Sequence, residues 1–134
     1  MAVEMGLTEV AAGVFELRLP IPFEDGLVNV FLFKSGQEVD LLDCGMNSED
    51  SLTAIHRALE QLGARRLRRL VVTHIHPDHY GAAGALAGEG LADLYMHRLE
   101  VPLVHPPITS TFEYRSVLIL DPSATMPGWL SKWG

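Results

Sequence analysis

Apolar positions in the first third of the chain recur in short runs of strand type, at residues 7–10, 14–19, 28–33 and 39–42, each bounded by Gly, Pro or Asp. Ala12-Gly13 and Ser35-Gly36 supply hairpin turns, while Pro20, Pro22 and Gly26 mark a longer loop at the rim. From Asn47 the period changes: Leu52, Ile55, Leu59 and Leu62 recur at helical spacing, and Glu49, Asp50, Arg57 and Glu60 fall elsewhere. Asn47 or Ser48 caps this helix, acidic residues fill its first turn, and Gly63 stops it. Residues 67–73 return to an apolar, β-branched run. Strand, helix, strand predicts a right-handed crossover between parallel neighbours, and hence a mixed sheet. Further along, residues 81–87 read as a short helix of small residues, 92–96 as a strand, 99–104 as a helical or turn segment, and 116–120 as a last strand. Trp129, Leu130 and Trp133 form one apolar helix stripe after Pro127, with packing as its default role.

A chain of 134 residues, 48% hydrophobic and 20% charged, has the size and balance of one folded domain. The net charge of -7 disfavours a nucleic-acid partner. Arg65, Arg66, Arg68 and Arg69 are the one basic cluster, read as a solvated feature that complements the dipole of the preceding helix. The single cysteine, Cys44, precludes an intrachain disulfide and suits a reducing compartment. The first ten residues carry Glu4 and Glu9 and lack the pattern of a secretion signal, and no apolar run approaches the roughly 20 residues of a membrane span. The expectation is a cytoplasmic protein with no membrane partner.

Three of the six histidines fall between positions 74 and 79, together with Asp78, directly after a predicted strand. In open α/β sheets, ligands bind beyond the carboxyl ends of strands, where this segment lies. Imidazole nitrogens and carboxylate oxygens are standard zinc ligands. His74 and His76 can turn to one ion while Asp78 and His79 turn to a neighbouring one. Any one of these residues alone reads as decoration of a polar loop, but four ligand-type residues in six positions do not. A purely structural zinc site would be rich in cysteine thiolate, and this segment has none, so a partly open catalytic site is expected.

The run Thr73-His74-Ile75-His76-Pro77-Asp78-His79-Tyr80-Gly81 resembles the His-x-His-x-Asp-His signature of the metallo-β-lactamase superfamily. Val28-Asn29-Val30-Phe31-Leu32 and Asp40-Leu41-Leu42-Asp43-Cys44-Gly45 resemble that family's early strands and the Asp-x-Gly turn beneath its metal loop. The likeness covers roughly residues 8–104. It implies an α/β fold, the first half of an αββα sandwich, with a mixed sheet and helices on one face. By the same resemblance His74 and His76 ligate a first metal, Asp78 and His79 a second, and Asp78 also orients the attacking water. Asp43 is then a loop-supporting residue, with closure of the turn before Gly45 as its plainer role. Cys44 has no ligand counterpart and reads as a small buried apolar residue. Gly81-Ala82 stands where the pattern often has two glycines.

The resemblance also exposes what the sequence lacks. The family draws further ligands from a second half, whereas no histidine follows His105 here. His97, His105 and Asp121 are candidates for the missing ligands, each read by default as a surface or rim residue. Residues 105–134 look like the variable connection between halves, within one domain spanning 1–134. The leading expectation is a hydrolase acting on a small-molecule ester, thioester or lactone, with two zinc ions in a complete site. An iron-dependent, persulfide dioxygenase-like enzyme is an alternative, because these ligand types accept either metal. A truncated, inactive half-domain is another. A half sandwich leaves one apolar sheet face in water, which predicts self-association into a homo-oligomer.

Overall fold

The computed structural model describes residues 6–21, 26–89, 93–100 and 117–120. Four strands come first, β1 (Leu7–Ala11), β2 (Val14–Ile21), β3 (Gly26–Ser35) and β4 (Glu38–Leu42), followed by helix α1 (Glu49–Gln61) and strand β5 (Arg66–Val71). Two short helices, α2 (Pro77–Tyr80) and α3 (Ala83–Gly88), lead to β6 (Asp93–His97), and β7 (Val117–Leu120) completes the described elements. The described strands form one sheet in sequence order, β1 to β7. β1 to β4 pair antiparallel, and β4 to β7 pair parallel, so the sheet is mixed as expected.

Alternation sets the inner face. Leu17 and Leu19 of β2 stand opposite Val30 and Val28 of β3, and Leu32 stands opposite Leu41 of β4. All six are buried, in one cluster with Ala54, Ile55, Ala58 and Leu62 from α1 and its end. Leu70, Val72, Leu94, Met96, Ala82, Ala83 and Leu86 extend the same core. α1 begins as its sequence dictates: the Ser48 side chain accepts from the Ser51 backbone N–H at 3.2 Å, with Glu49 and Asp50 in the first turn.

The β5 region departs from the sequence reading in two ways. Strand β5 ends at Val71, two residues before Thr73. The pairing of β4 with β5 also slips between Val39 and Asp40, so that Val39 faces Leu67 while Asp40 faces Arg69. The bulge lets Leu67 and Leu70, three apart, both enter the core. It also places Arg68 beside β4, where its Nε and Nη2 donate to the Asp40 carboxylate at 3.1 and 2.9 Å and its Nη1 lies 3.0 Å from Glu38. The hydrogen bond to Asp40 raises the Arg68 pKa further above its usual value, against burial. Within the basic cluster, Arg68 and Arg69 thus face carboxylates of the neighbouring strand, while Arg65 and Arg66 are exposed just beyond the end of α1.

Candidate metal centre

Two turns meet at the carboxyl ends of β4 and β5 because these strands are parallel neighbours. The first reverses sharply at Asp43 and Gly45, whose φ angles are 59° and 74°. Glycine takes the positive φ at position 45 without strain, and a Cβ there would also lie 2.6 Å from Leu19 Cδ1, so that buried leucine would have to shift. Asp43 is the described non-glycine residue with positive φ, a conformation that costs about 1–2 kcal/mol for an L-residue and least for Asp or Asn. Its backbone N–H donates to Val71 O at 2.8 Å, and the next residue, Cys44, donates its N–H to His79 O at 2.9 Å. The first turn is thereby tied to both ends of the second.

The second turn carries the histidines. Val72 donates its N–H to Tyr95 O, extending the β5–β6 ladder, and the chain then leaves the sheet at Thr73. Pro77 sits at the start of α2, a short helix where the sequence pattern predicts only loop. Gly81 closes this helix under severe crowding: a Cβ would collide with Pro77 O and lie 2.7 Å from Asn47 N and 2.9 Å from Met46 Cα. Only hydrogen fits there. Ala82 follows fully buried, so a side chain in place of the pattern's second glycine is accommodated by the core.

The Asp43 carboxylate, 5% exposed, lies at the centre. Its Oδ1 accepts from Thr73 N–H at 2.8 Å, and its Oδ2 accepts from Thr73 Oγ1 at 2.7 Å and pairs with His79 Nδ1 at 2.8 Å. Thr73 Oγ1 in turn lies 2.9 Å from His74 Nδ1. His74 Nε2 is 3.1 Å from His76 Nδ1, and His79 Nε2 is 3.5 Å from Asp78 Oδ2. The rings of His74 and His79 have centroids 4.1 Å apart, and those of His76 and His79 are 6.5 Å apart. Just beyond β6, Glu100 Oε2 accepts from Ile75 N–H at 2.8 Å and holds the segment between the first two histidines.

The structure thus gathers His74, His76, Asp78 and His79 on one surface. Among the described residues, however, no group of three His, Cys, Asp or Glu side chains is arranged to hold one ion. The donor set arrives as two pairs. The His74–His76 pair fits a shared ion, since two imidazole nitrogens bound to one tetrahedral zinc at 2.0–2.1 Å stand about 3.3 Å apart. His97 ends β6 with its Nδ1 accepting from Leu99 N–H at 3.2 Å, a turn contact. His105, Asp121 and the Trp129, Leu130 and Trp133 stripe lie outside the described residues. Thr73 and Glu100 had no assigned role in the sequence, and no spacing rule links either to the histidines it supports. Cys44 is completely buried, with its Sγ 3.4 Å from His79 O, and desolvation drives its thiol pKa well above the ordinary range, outweighing the Ala82 backbone hydrogen bond. It is a packing residue, as expected.

The model of the metallo-beta-lactamase superfamily matches residues 24–130. A beta-lactamase domain protein from Burkholderia ambifaria is 30% identical, with a TM-score of 0.65 over 77% of this chain and 33% of its own. A metallo-beta-lactamase family protein from Thermus thermophilus is also 30% identical, with a TM-score of 0.60 over 67% of this chain and 30% of its own. A metallo-beta-lactamase from Pseudomonas aeruginosa, solved in a mono-zinc form, shares the fold at 22% identity and a TM-score of 0.64, over 75% of this chain and 45% of its own. The chain therefore spans less than half the length of each of these structures. No match was found among curated protein sequences. No helix among the described residues is long and apolar enough to cross a membrane. A family match over residues 24–130, together with a solved structure of the same fold at 30% identity over 77% of the chain, makes this chain a member of the metallo-β-lactamase superfamily.

Proposed function

We propose that the chain is the first half of a metal-dependent hydrolase acting on a small-molecule ester, thioester or lactone. The observation that carries this reading is the pairing of His74 Nε2 with His76 Nδ1 at 3.1 Å, beside Asp78 and His79. His74 and His76 would hold a first zinc ion, and Asp78 and His79 would contribute to a second. When bound, zinc acts as a Lewis acid that lowers the pKa of water and polarises a carbonyl oxygen. The chain's own residues supply position. Asp78, partly exposed at the start of α2, presents an acceptor that would orient a water proton, and Asp43 fixes the His79 ring from beneath. Glu100 and the backbone ties to Cys44 keep the turn from spreading.

A second reading is favoured by the arrangement of donors in pairs rather than threes among the described residues. On that reading the chain binds metal loosely and needs further ligands, from a second copy or a second half, before it turns over substrate. A zinc titration with sedimentation, alongside ester and thioester hydrolysis, separates the two. A competent hydrolase gives stoichiometric zinc and turnover that His76→Ala abolishes. A partial site gives weak zinc binding that tightens on self-association, without turnover by the single chain.

A further inference from the structure

Asp43, Thr73, His74 and His79 form a continuous chain of short contacts whose proton positions are fixed by elimination. A carboxylate accepts and does not donate. Asp43 Oδ2 meets two groups, Thr73 Oγ1 at 2.7 Å and His79 Nδ1 at 2.8 Å, so both must give it a hydrogen. A threonine hydroxyl has one proton. Once that proton points to Asp43, Thr73 Oγ1 can only accept across its 2.9 Å contact with His74 Nδ1, so His74 Nδ1 must carry a hydrogen as well. In a neutral imidazole a protonated Nδ1 leaves Nε2 with its lone pair bare.

We propose that Asp43 is a positioning residue that sets the tautomers of two histidines at once, His79 directly and His74 through the Thr73 hydroxyl, so that both present a bare Nε2 at the mouth of the turn. The consequences match the remaining contacts. His74 Nε2 then accepts from His76 Nδ1–H across their 3.1 Å contact in the metal-free protein. His79 Nε2 and Asp78 Oδ2 face each other at 3.5 Å as two electron-rich atoms with no proton between them, an arrangement suited to a cation. A hydrogen bond from the far ring nitrogen is the usual way a ligating histidine is oriented, and loss of such a partner weakens metal binding about 10–100-fold. The buried position of Asp43 and its positive φ suit this duty: the reversed backbone aims one carboxylate at both ends of the histidine turn, Thr73 and His79.

The value of this arrangement for metal binding rests on the function proposed above, but the tautomers themselves do not. They are read in the metal-free full chain by long-range proton–nitrogen NMR correlations of the imidazoles at about pH 8, above the ordinary histidine pKa of about 6.5. Wild type is expected to show Nδ1–H on both His74 and His79, and an Nε2–H tautomer on either ring overturns the proposal. Thr73→Val cuts only one arm, so His74 is expected to lose its tautomer preference while His79 keeps it, and Thr73→Ser, which retains the hydroxyl, restores His74. A Thr73→Val protein in which both rings change, or neither does, refutes the relay. Asp43→Asn is expected to release both rings. Should it fail to fold, the two Thr73 variants still decide the His74 arm and the wild-type spectrum the His79 arm. Zinc titration of the same proteins is expected to show about 10-fold weaker binding by Thr73→Val than by wild type. If wild type has the stated tautomers but binds no zinc, the relay stands and the proposed metal-dependent function fails.

Discussion

Gly81→Ala tests whether the crowding behind α2 holds the histidine turn in place. The added Cβ would meet Pro77 O, Asn47 N and Met46 Cα, all of them backbone atoms, so no side chain can rotate out of the way. Overpacking of this kind costs about 1–3 kcal/mol, and rigid neighbours place it toward the upper end. Gly81 has φ -54° and ψ -40°, a helical conformation in which alanine recovers roughly 0.5–1 kcal/mol. The net expectation is a loss of about 2 kcal/mol. It is read as a lower urea midpoint with unchanged slope, followed by circular dichroism. Because the strain separates α2 from residues 46 and 47, and His79 O is held by Cys44 N–H, zinc binding should weaken in parallel. Gly84→Ala is the control: it lies within α3, no described atom stands within 4 Å of its added Cβ, and it should gain about 0.5–1 kcal/mol. A Gly81→Ala protein within about 0.5 kcal/mol of wild type, the range of ordinary surface substitutions, would refute the reasoning.

The other predictions follow from separate features. Ser51 Oγ is buried without a hydrogen-bond partner among the described residues, so Ser51→Ala should stabilise the fold by roughly 1 kcal/mol in thermal melts, and destabilisation would reveal a partner for the hydroxyl. Burial raises the Cys44 thiol pKa, so the unfolded chain ionises first; stability should hold below the ordinary value of 9.0 and fall above it. The slope should approach about 1.4 kcal/mol per pH unit, and a stability profile that is the same in Cys44→Ala would contradict this. Arg68→Met keeps the aliphatic stem but strips Asp40 of its two hydrogen bonds, which should cost about 1.5–3 kcal/mol; no change in the unfolding midpoint would mean that Arg69, 3.8 Å away, or solvent takes over. His76→Ala removes an exposed ring and opens no core cavity, so its circular dichroism should match wild type while metal-dependent hydrolysis is lost. Full retained turnover would place the chemistry elsewhere.

Local pattern carried a great deal of this protein. Short apolar runs bounded by turn residues marked four strands in the first 42 residues, and in β2 and β3 alternation also chose the face, with Leu17, Leu19, Val28, Val30 and Leu32 entering the core. The cap at Ser48 and the stop at Gly63 bounded α1, since end groups of a helix need partners that only a few residue types supply. The histidine motif was legible because ligand chemistry requires particular atoms, whatever their surroundings. What pattern could not reveal depended on contacts between distant segments. The Leu67-Arg68-Arg69-Leu70 run is neither alternating nor helical, and it makes sense only once β4 is beside it and the bulge turns both leucines inward. Gly81 reads as a flexible residue until Asn47 and Met46 are packed against it. Asp43 and Thr73 lie 30 positions apart, and Glu100 lies 25 from Ile75, so their hydrogen bonds leave no periodic trace. Sequence named the candidate metal donors; the parallel pairing of β4 with β5 decided which carboxylate lies beneath them, because that pairing brings the two turns within hydrogen-bond reach.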